Sequence, residues 1–361
     1  EGRVEGAQGS APRNDSGSDR PSPPRPAAFP LGRATTTTMV SARPQPRLRR
    51  LPVGGGRHAA LWEWWPAAEV GTPQATVVLV HATGFHARCW DEVVRRLPPT
   101  FRCLCFDMLG HGLSDPPGED PTWRSVADAL LASLAAAGVK PEDVSVLAGH
   151  SMGGWVSTAA AASSPQPFPA LLLIDPVIRP AAVYGSPDAA EIIRETVGPM
   201  IRQRKDAFQS AIDMFERFKV RQPYASWNPQ VLLDYCDFGL GSAPSNAAPA
   251  ASGGAPLQLL CRPEVEAAWY PAGFSPAAEL SAELRRLAGR GQRAVVLRAP
   301  SLVAGRPFES SPTDPALAAR LGPGASDVLM EDAGHFIPMT HPEVVVQHIL
   351  SLASARPRSS L

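Results

Sequence analysis

A series of short, unbroken apolar runs, separated by helical patterns, constrains this chain more than any other feature. The runs lie in ATVVLVHATGF (Ala75–Phe85), FRCLCFDMLGHGLSD (Phe101–Asp115), VSVLAG (Val144–Gly149), ALLLIDPVI (Ala170–Ile178), RAVVLRAP (Arg293–Pro300) and SDVLMEDAGHF (Ser326–Phe336). A strand that is apolar at successive positions, rather than at every second one, has both faces covered, as in a parallel sheet between helix layers. Between the runs, Val126, Leu130 and Leu134 recur at helical spacing and Gly138 marks a stop. MGGWVSTAAAAS after Ser151 has the small residues that let a helix pack close to a sheet, and Thr340-x-x-Glu343 opens a last helix with Val345, Ile349 and Leu352 on one face. The alternation predicts an α/β fold with a doubly wound, mainly parallel sheet.

That pattern divides the chain. Residues 1–50 are rich in Pro, Ser, Arg and Thr and cannot offset their ordering entropy, so they read as a disordered leader. Met39 is a candidate initiator; an Arg/Ser-rich transit peptide is the alternative, against which Glu1, Glu5, Asp15 and Asp19 count. The first part of the core spans 51–178, where LWEWWP (Leu61–Pro66) alternates like an edge strand after a Gly54-Gly55-Gly56 turn. Residues 179–293 interrupt the alternation and read as an inserted, mostly helical lid. Within it Phe208, Ile212 and Phe215 are expected on one face of an amphipathic helix, and the low-complexity stretch 239–256 reads as a flexible loop. The core resumes over 294–355, and 356–361 is a tail.

Charge and cysteine content narrow the function classes. Lys and Arg total 34 and so do Asp and Glu, so no global field draws the chain to nucleic acid or an anionic membrane. No run approaches the roughly 20 apolar residues of an integral membrane helix, and a soluble, cytoplasmic protein is expected. Five cysteines without C-x-x-C pairs argue against a disulfide scaffold or a zinc site. Cys103 and Cys105 read as packed hydrophobes. Ser359-Ser360-Leu361 resembles the peroxisomal tripeptide SKL without its lysine, which makes the peroxisome an alternative address, as another organelle would be for a transit peptide.

The chemistry centres on Gly149-His150-Ser151-Met152-Gly153, a match to G-x-S-x-G between an apolar strand and a small-residue helix. That context makes a sharp elbow, which lifts a nucleophilic serine oxygen into a cleft at the carboxyl edge of the sheet. The flanking glycines suit an elbow whose backbones approach too closely for a Cβ. A serine hydroxyl needs a base, and His335 in EDAGHF follows the final apolar run to the same edge. Among the other histidines, His58, His341 and His348 read as structural, His111 and His150 as shaping loops around the site, and His81 as holding a turn. The oxyanion donors are expected to be the backbone N–H groups of Thr83, in HATGF, and Met152; Ala82 is the second choice for the loop donor.

Taken together, HATGF, FDMLGHGLS, GHSMGG and DAGHF resemble the α/β-hydrolase superfamily over residues 55–355. HATGF, LLLIDPVI, CRPEVEAAWY and HFIPM are further similar to a fungal and algal-type group that includes peroxisomal lipase-like serine hydrolases. The resemblance implies serine esterase or lipase chemistry through an acyl-enzyme, with no cofactor. It also raises a departure: the family usually places its acid after the penultimate strand, where APSLVAGRPFESSPTDP has no Asp in the common turn position. Asp175, at the end of the fourth run, ranks first as the acid, followed by Glu309 and Asp314; Asp332 is too near His335 in sequence. Haloalkane dehalogenases and epoxide hydrolases are disfavoured because they carry Asp where Ser151 stands. Acyltransferase, peroxidase-like and carbon–carbon hydrolase activities share the same Ser and His.

The expected partner is therefore a small hydrophobic acyl substrate, an ester, thioester or lipid-like molecule. Trp227 and Trp269 join the phenylalanines of the inserted segment as apolar material for its pocket or its packing. A ligand-binding, receptor-like protein of the same fold with little turnover is the alternative, since it too would keep Ser151 and His335.

Overall fold

The computed structural model describes residues 45–66, 71–118, 121–184, 186, 188–242, 256–306 and 309–354. Met39, residues 243–255 of the low-complexity stretch 239–256 and the terminal Ser359-Ser360-Leu361 lie outside them; Leu240–Ser242 of that stretch form a strand rather than a flexible loop. Strands β1 (Arg47–Gly54) and β2 (Arg57–Trp64) form an antiparallel hairpin. Its turn is made by Gly55 and Gly56, both at positive φ (59° and 71°). The first strand thus begins within the stretch read as leader, because Leu48 to Leu51 pair with Ala59 to Trp62.

Next come β3 (Ala75–Val80), α1 (Asp91–Arg96), β4 (Phe101–Phe106), α2 (Trp123–Ala136), β5 (Val146–His150), α3 (Met152–Ser163) and β6 (Leu171–Ile174). The inserted segment carries α4 (Ala181–Tyr184), α5 (Ala189–Arg202), β7 (Ala207–Phe208), α6 (Ala211–Phe218), α7 (Pro229–Phe238), β8 (Leu240–Ser242), β9 (Leu257–Leu259), α8 (Pro263–Ala272) and α9 (Ser281–Gly289). The chain then closes with β10 (Ala294–Arg298), α10 (Leu317–Leu321), β11 (Ala325–Leu329), α11 (Ile337–Thr340) and α12 (Pro342–Ser354).

The main sheet runs β1-β2-β4-β3-β5-β6-β10-β11, parallel from β4 to β11 and antiparallel at β1-β2 and β2-β4. Alternate side chains of its strands feed two separate cores. Val78, Val80, Leu147, Leu171 and Leu173 face the layer of α2 and α3. Val77, Leu79, Val146, Leu172 and Ile174 face the opposite layer, with Val345, Ile349 and Leu352 of α12. This two-sided burial is why those runs are apolar throughout. The five cysteines are buried free thiols, and among the described residues no helix is long and apolar enough to cross a membrane.

Several local expectations are corrected. Leu61–Trp64 is no edge strand, because β1 covers the outer side of β2; the alternation misleads at Glu63, which is buried and held by Arg102 at 2.8 Å. In the inserted segment, Phe208 lies in β7 rather than on a helix, and Ile212 is 70% exposed. Ser210 caps α6 by accepting the Asp213 N–H (3.1 Å), so the helix starts later and buries Met214 and Phe218 instead. Thr340 is no cap: it ends α11, and its hydroxyl donates to the Phe336 carbonyl. Beside its helices, the insertion carries a small antiparallel sheet of β7, β9 and β8.

Indole hydrogen bonds tie this insertion to the main core. Trp155 Nε1 of α3 donates to Ala278 O (2.7 Å) and Trp123 Nε1 of α2 donates to Trp269 O (3.0 Å). Buried aromatics Trp227, Tyr235 and Phe218 then cluster with Phe85, which follows β3.

Candidate active site

The site grows from the carboxyl ends of β5 and β6. Ser151, between β5 and α3, has φ 57° and ψ −121°, a conformation that costs a non-glycine residue on the order of 1–3 kcal/mol. The surrounding backbone holds it there. Its N–H donates to Ile174 O (3.0 Å), and its carbonyl accepts from the N–H groups of Gly154 (3.0 Å) and Val177 (3.1 Å). A Cβ on Gly149 would lie 2.2 Å from Gly153 O, and one on Gly153 2.3 Å from Val80 O. The motif therefore needs hydrogen at both positions because the elbow is pressed against itself and against β3.

His335 arrives on the loop after β11. Its Nε2 is 3.0 Å from Ser151 Oγ and its Nδ1 is 2.6 Å from Asp175 Oδ2. An ionised carboxylate can only accept, so the proton sits on Nδ1 and Nε2 is left to accept from the serine hydroxyl. Asp175 is fully buried, and Oδ1 accepts from Ala299 N–H (3.0 Å) and Ser311 Oγ, while Thr313 Oγ1, 3.3 Å away, donates to the Pro176 carbonyl (2.8 Å). Of the three carboxylates considered from sequence, Asp175 is the one brought to His335. The Glu309 carboxylate pairs with Arg306 (2.9 Å), while its carbonyl accepts the His335 N–H (2.7 Å). Asp314 pairs with Arg320 (2.9 Å) and accepts the Ala316 N–H.

Other histidines fasten the loops. His150 is buried and donates from Nε2 to the His335 carbonyl (2.8 Å); desolvation pushes its pKa well below the usual value, so it stays neutral. His111 Nε2 accepts the Gly84 N–H (3.0 Å), and burial pushes its pKa down to about 4. His81 Nε2 accepts the Met108 N–H (3.1 Å), which joins HATGF to the loop after β4.

Thr83 sits beside the elbow, with its hydroxyl 3.2 Å from Met152 Sδ. Among the described residues the backbone N–H groups of Thr83 and Met152 donate to no backbone carbonyl. The Ala82 carbonyl accepts from Phe85 N–H and from His81 Nδ1. A cavity of about 220 Å³ opens here, with Ser151, His335, Thr83, Phe85, Tyr270 and Phe336 among its walls. Sequence reasoning overlooked the support of Asp175 by Ser311. Its one signal was a hydroxyl-rich turn, SSPTDP, where a carboxylate was sought.

Residues 77–348 match the model of the Alpha/beta hydrolase family. The chain belongs to that family. Among its relatives, the monoglyceride lipase of Rattus norvegicus is 30% identical over 156 residues, which cover 42% of this chain and 48% of the lipase. This α/β hydrolase thus spans about half the length of that relative. The pimeloyl-[acyl-carrier protein] methyl ester esterase of Pectobacterium atrosepticum is 25% identical over 285 residues, covering 79% of this chain and 96% of the esterase. A peroxisomal alpha-beta-hydrolase from Saccharomyces cerevisiae superposes with a TM-score of 0.60 at 16% identity, covering 88% and 89% of the two chains, which shows the shared fold.

Proposed function

We propose that this α/β hydrolase is a serine hydrolase that cleaves an ester or thioester with an apolar acyl portion through an acyl-enzyme. The observation that carries this reading is the hydrogen-bonded line from Ser151 Oγ through His335 to Asp175, at 3.0 and 2.6 Å. Ser151 Oγ attacks the carbonyl carbon as His335 Nε2 takes its proton. Asp175 orients the ring and stabilises the imidazolium, and the N–H groups of Thr83 and Met152 meet the oxyanion. Collapse of the intermediate breaks the bond to the leaving oxygen or sulfur, which takes the proton from His335. Water then attacks the acyl-enzyme with His335 as base, releasing the acid and restoring Ser151.

Relatives named as a lipase and an esterase support an acyl ester as substrate. The aromatic walls of the cavity support an apolar one. The test is labelling by a fluorophosphonate, with the adduct mapped by mass spectrometry. One adduct at Ser151, absent in Ser151→Ala and His335→Ala, is expected. A folded wild-type protein that stays unlabelled would overturn the reading and favour a ligand-binding role with little turnover.

A further inference from the structure

A second cavity, of about 540 Å³, shares Thr83, Phe85, Tyr270 and Phe336 with the cavity at Ser151, so the two adjoin. Its remaining walls have two chemistries. Phe218, Tyr224, Trp227 and Tyr235 supply an aromatic surface, packed by ring contacts such as Phe218 on Tyr224 at 4.3 Å between centroids. The buried Trp227 Nε1–H has no acceptor among the described residues. Cationic side chains supply the other part: Arg204, Lys205, Arg217 and Arg221.

These cations are not equivalent. Arg204 Nη1 lies 2.8 and 2.9 Å from the two carboxylate oxygens of buried Glu266, so that pair is neutral. Lys205 has Asp213 at 3.6 Å. Arg217 and Arg221 take part in no ion pair among the described residues; Arg217 is half-buried and Arg221 exposed. Two guanidinium groups without a counter-ion, beside an aromatic enclosure that adjoins the nucleophile, suit a ligand with an apolar body and an anionic end.

We infer that the larger cavity is a substrate subsite for an ester or thioester that bears an anionic group, a carboxylate or phosphate, at the end remote from the scissile carbonyl, with Arg217 and Arg221 binding that group. The inference rests on the serine hydrolase reading and names its substrate class. The aromatic walls cover the body of the substrate and exclude water. The guanidinium pair rewards only molecules long enough to reach it, so selectivity depends on charge and length together.

The test compares kcat/KM for length-matched pairs. One arm pairs methyl hemiesters of dicarboxylic acids with methyl esters of monocarboxylic acids. The other arm places the anion on the alcohol side, pairing acetyl esters of ω-hydroxy acids and of phosphorylated alcohols with neutral acetyl esters. In one arm, at one chain length, the anionic member should be favoured about tenfold, and added salt should reduce that ratio. The arm that responds identifies where the anion sits. Arg217→Gln with Arg221→Gln should bring the ratio to about 1, while Arg217→Lys with Arg221→Lys should keep part of it. Neutral esters cleaved in a Ser151-dependent way at every length, with no anionic preference in either arm, would overturn the subsite and leave the hydrolase reading standing. If no ester is turned over, the hydrolase reading fails by itself, and calorimetry on Ser151→Ala decides the subsite. Tighter binding of adipic acid monomethyl ester than of methyl hexanoate supports it, and equal binding overturns it.

Discussion

Replacing Asp175 by asparagine separates the three carboxylates that the sequence left in competition. Asp175 Oδ1 faces two donors, the Ala299 N–H and the Ser311 hydroxyl, with the Thr313 hydroxyl donating to the Pro176 carbonyl beside it. An amide NH2 placed there would set donor against donor, so the new side chain must put its oxygen at Oδ1 and its NH2 toward His335 Nδ1. His335 Nδ1 would then have to accept, and its proton would move to Nε2, the atom that must take the proton from Ser151 Oγ. The variant keeps its shape and holds the wrong tautomer. An equivalent change in serine proteases lowers kcat by about 10⁴-fold, on the order of 5.5 kcal/mol of transition-state stabilisation. That loss is expected here in kcat on a chromogenic ester, with KM little changed. Glu309→Gln and Asp314→Asn lose only ion pairs with partly exposed arginines, worth about 1 kcal/mol or less each, and should retain kcat within about fivefold. A folded Asp175→Asn enzyme with a tenth or more of wild-type kcat, or a Glu309→Gln enzyme as impaired as it, would refute this assignment of the acid.

Gly153→Ala would drive its Cβ to 2.3 Å from Val80 O and 2.4 Å from His81 O, so about 2–3 kcal/mol of stability should be lost in urea unfolding; an equally stable, fully active variant would refute the elbow packing. His150→Phe removes the donor to the His335 carbonyl, and kcat should fall about fivefold, consistent with a hydrogen bond of about 1 kcal/mol, while fluorophosphonate still labels Ser151; unchanged kcat would show that the contact positions nothing. Acid should destabilise the fold below the usual histidine pKa of 6.5, because His86 and His111 are pushed to about 4 and His81 and His150 are also lowered. The unfolded chain then takes up protons that the folded one refuses, so stability is complete above pH 6.5 and declines as pH falls toward 4. Asp91 and Asp107, raised to about 6, and Asp234 and Glu266, also raised, oppose this from about pH 6 downward, whereas His348, also lowered, adds to it, so the decline is steepest between pH 6.5 and 6. A thermal midpoint that stays level or rises from pH 7 to pH 6 would contradict the linkage.

The sheet was legible because burial on both faces leaves a local mark. Val77 to Val80 and Leu171 to Ile174 are apolar at every position, since odd and even residues feed different cores. The insertion was far less so. Its helix α6 begins where Ser210 caps it rather than where the phenylalanine spacing suggested. Phe208, Phe215 and Ile212 share a helical spacing, yet Phe208 and Phe215 pack into the cluster with Phe85 while Ile212 is left exposed, which is tertiary information.

The carboxylate that meets His335 was harder to read for a different reason, and the structure gives the physical account. Ser151 and Asp175 are the non-glycine residues at positive φ among those described, 57° and 41°. They stand at the ends of adjacent strands and hold each other. The Ser151 N–H donates to Ile174 O, one residue before Asp175, and the Ser151 carbonyl accepts from Val177 N–H, two residues after it. Asp175 N–H donates in turn to Leu297 O of β10. The strained Asp175 is thus bracketed by hydrogen bonds to the strained Ser151, so neither conformation relaxes without disturbing the other. Such a bracket depends on β5 and β6 being neighbours in register, with His150 opposite Ile174. A carboxylate after β10 would need its own turn to reach His335; here Ser311 and Thr313 occupy that turn, Ser311 donating to Asp175, and the carboxylate that meets His335 comes from the strand beside Ser151 instead.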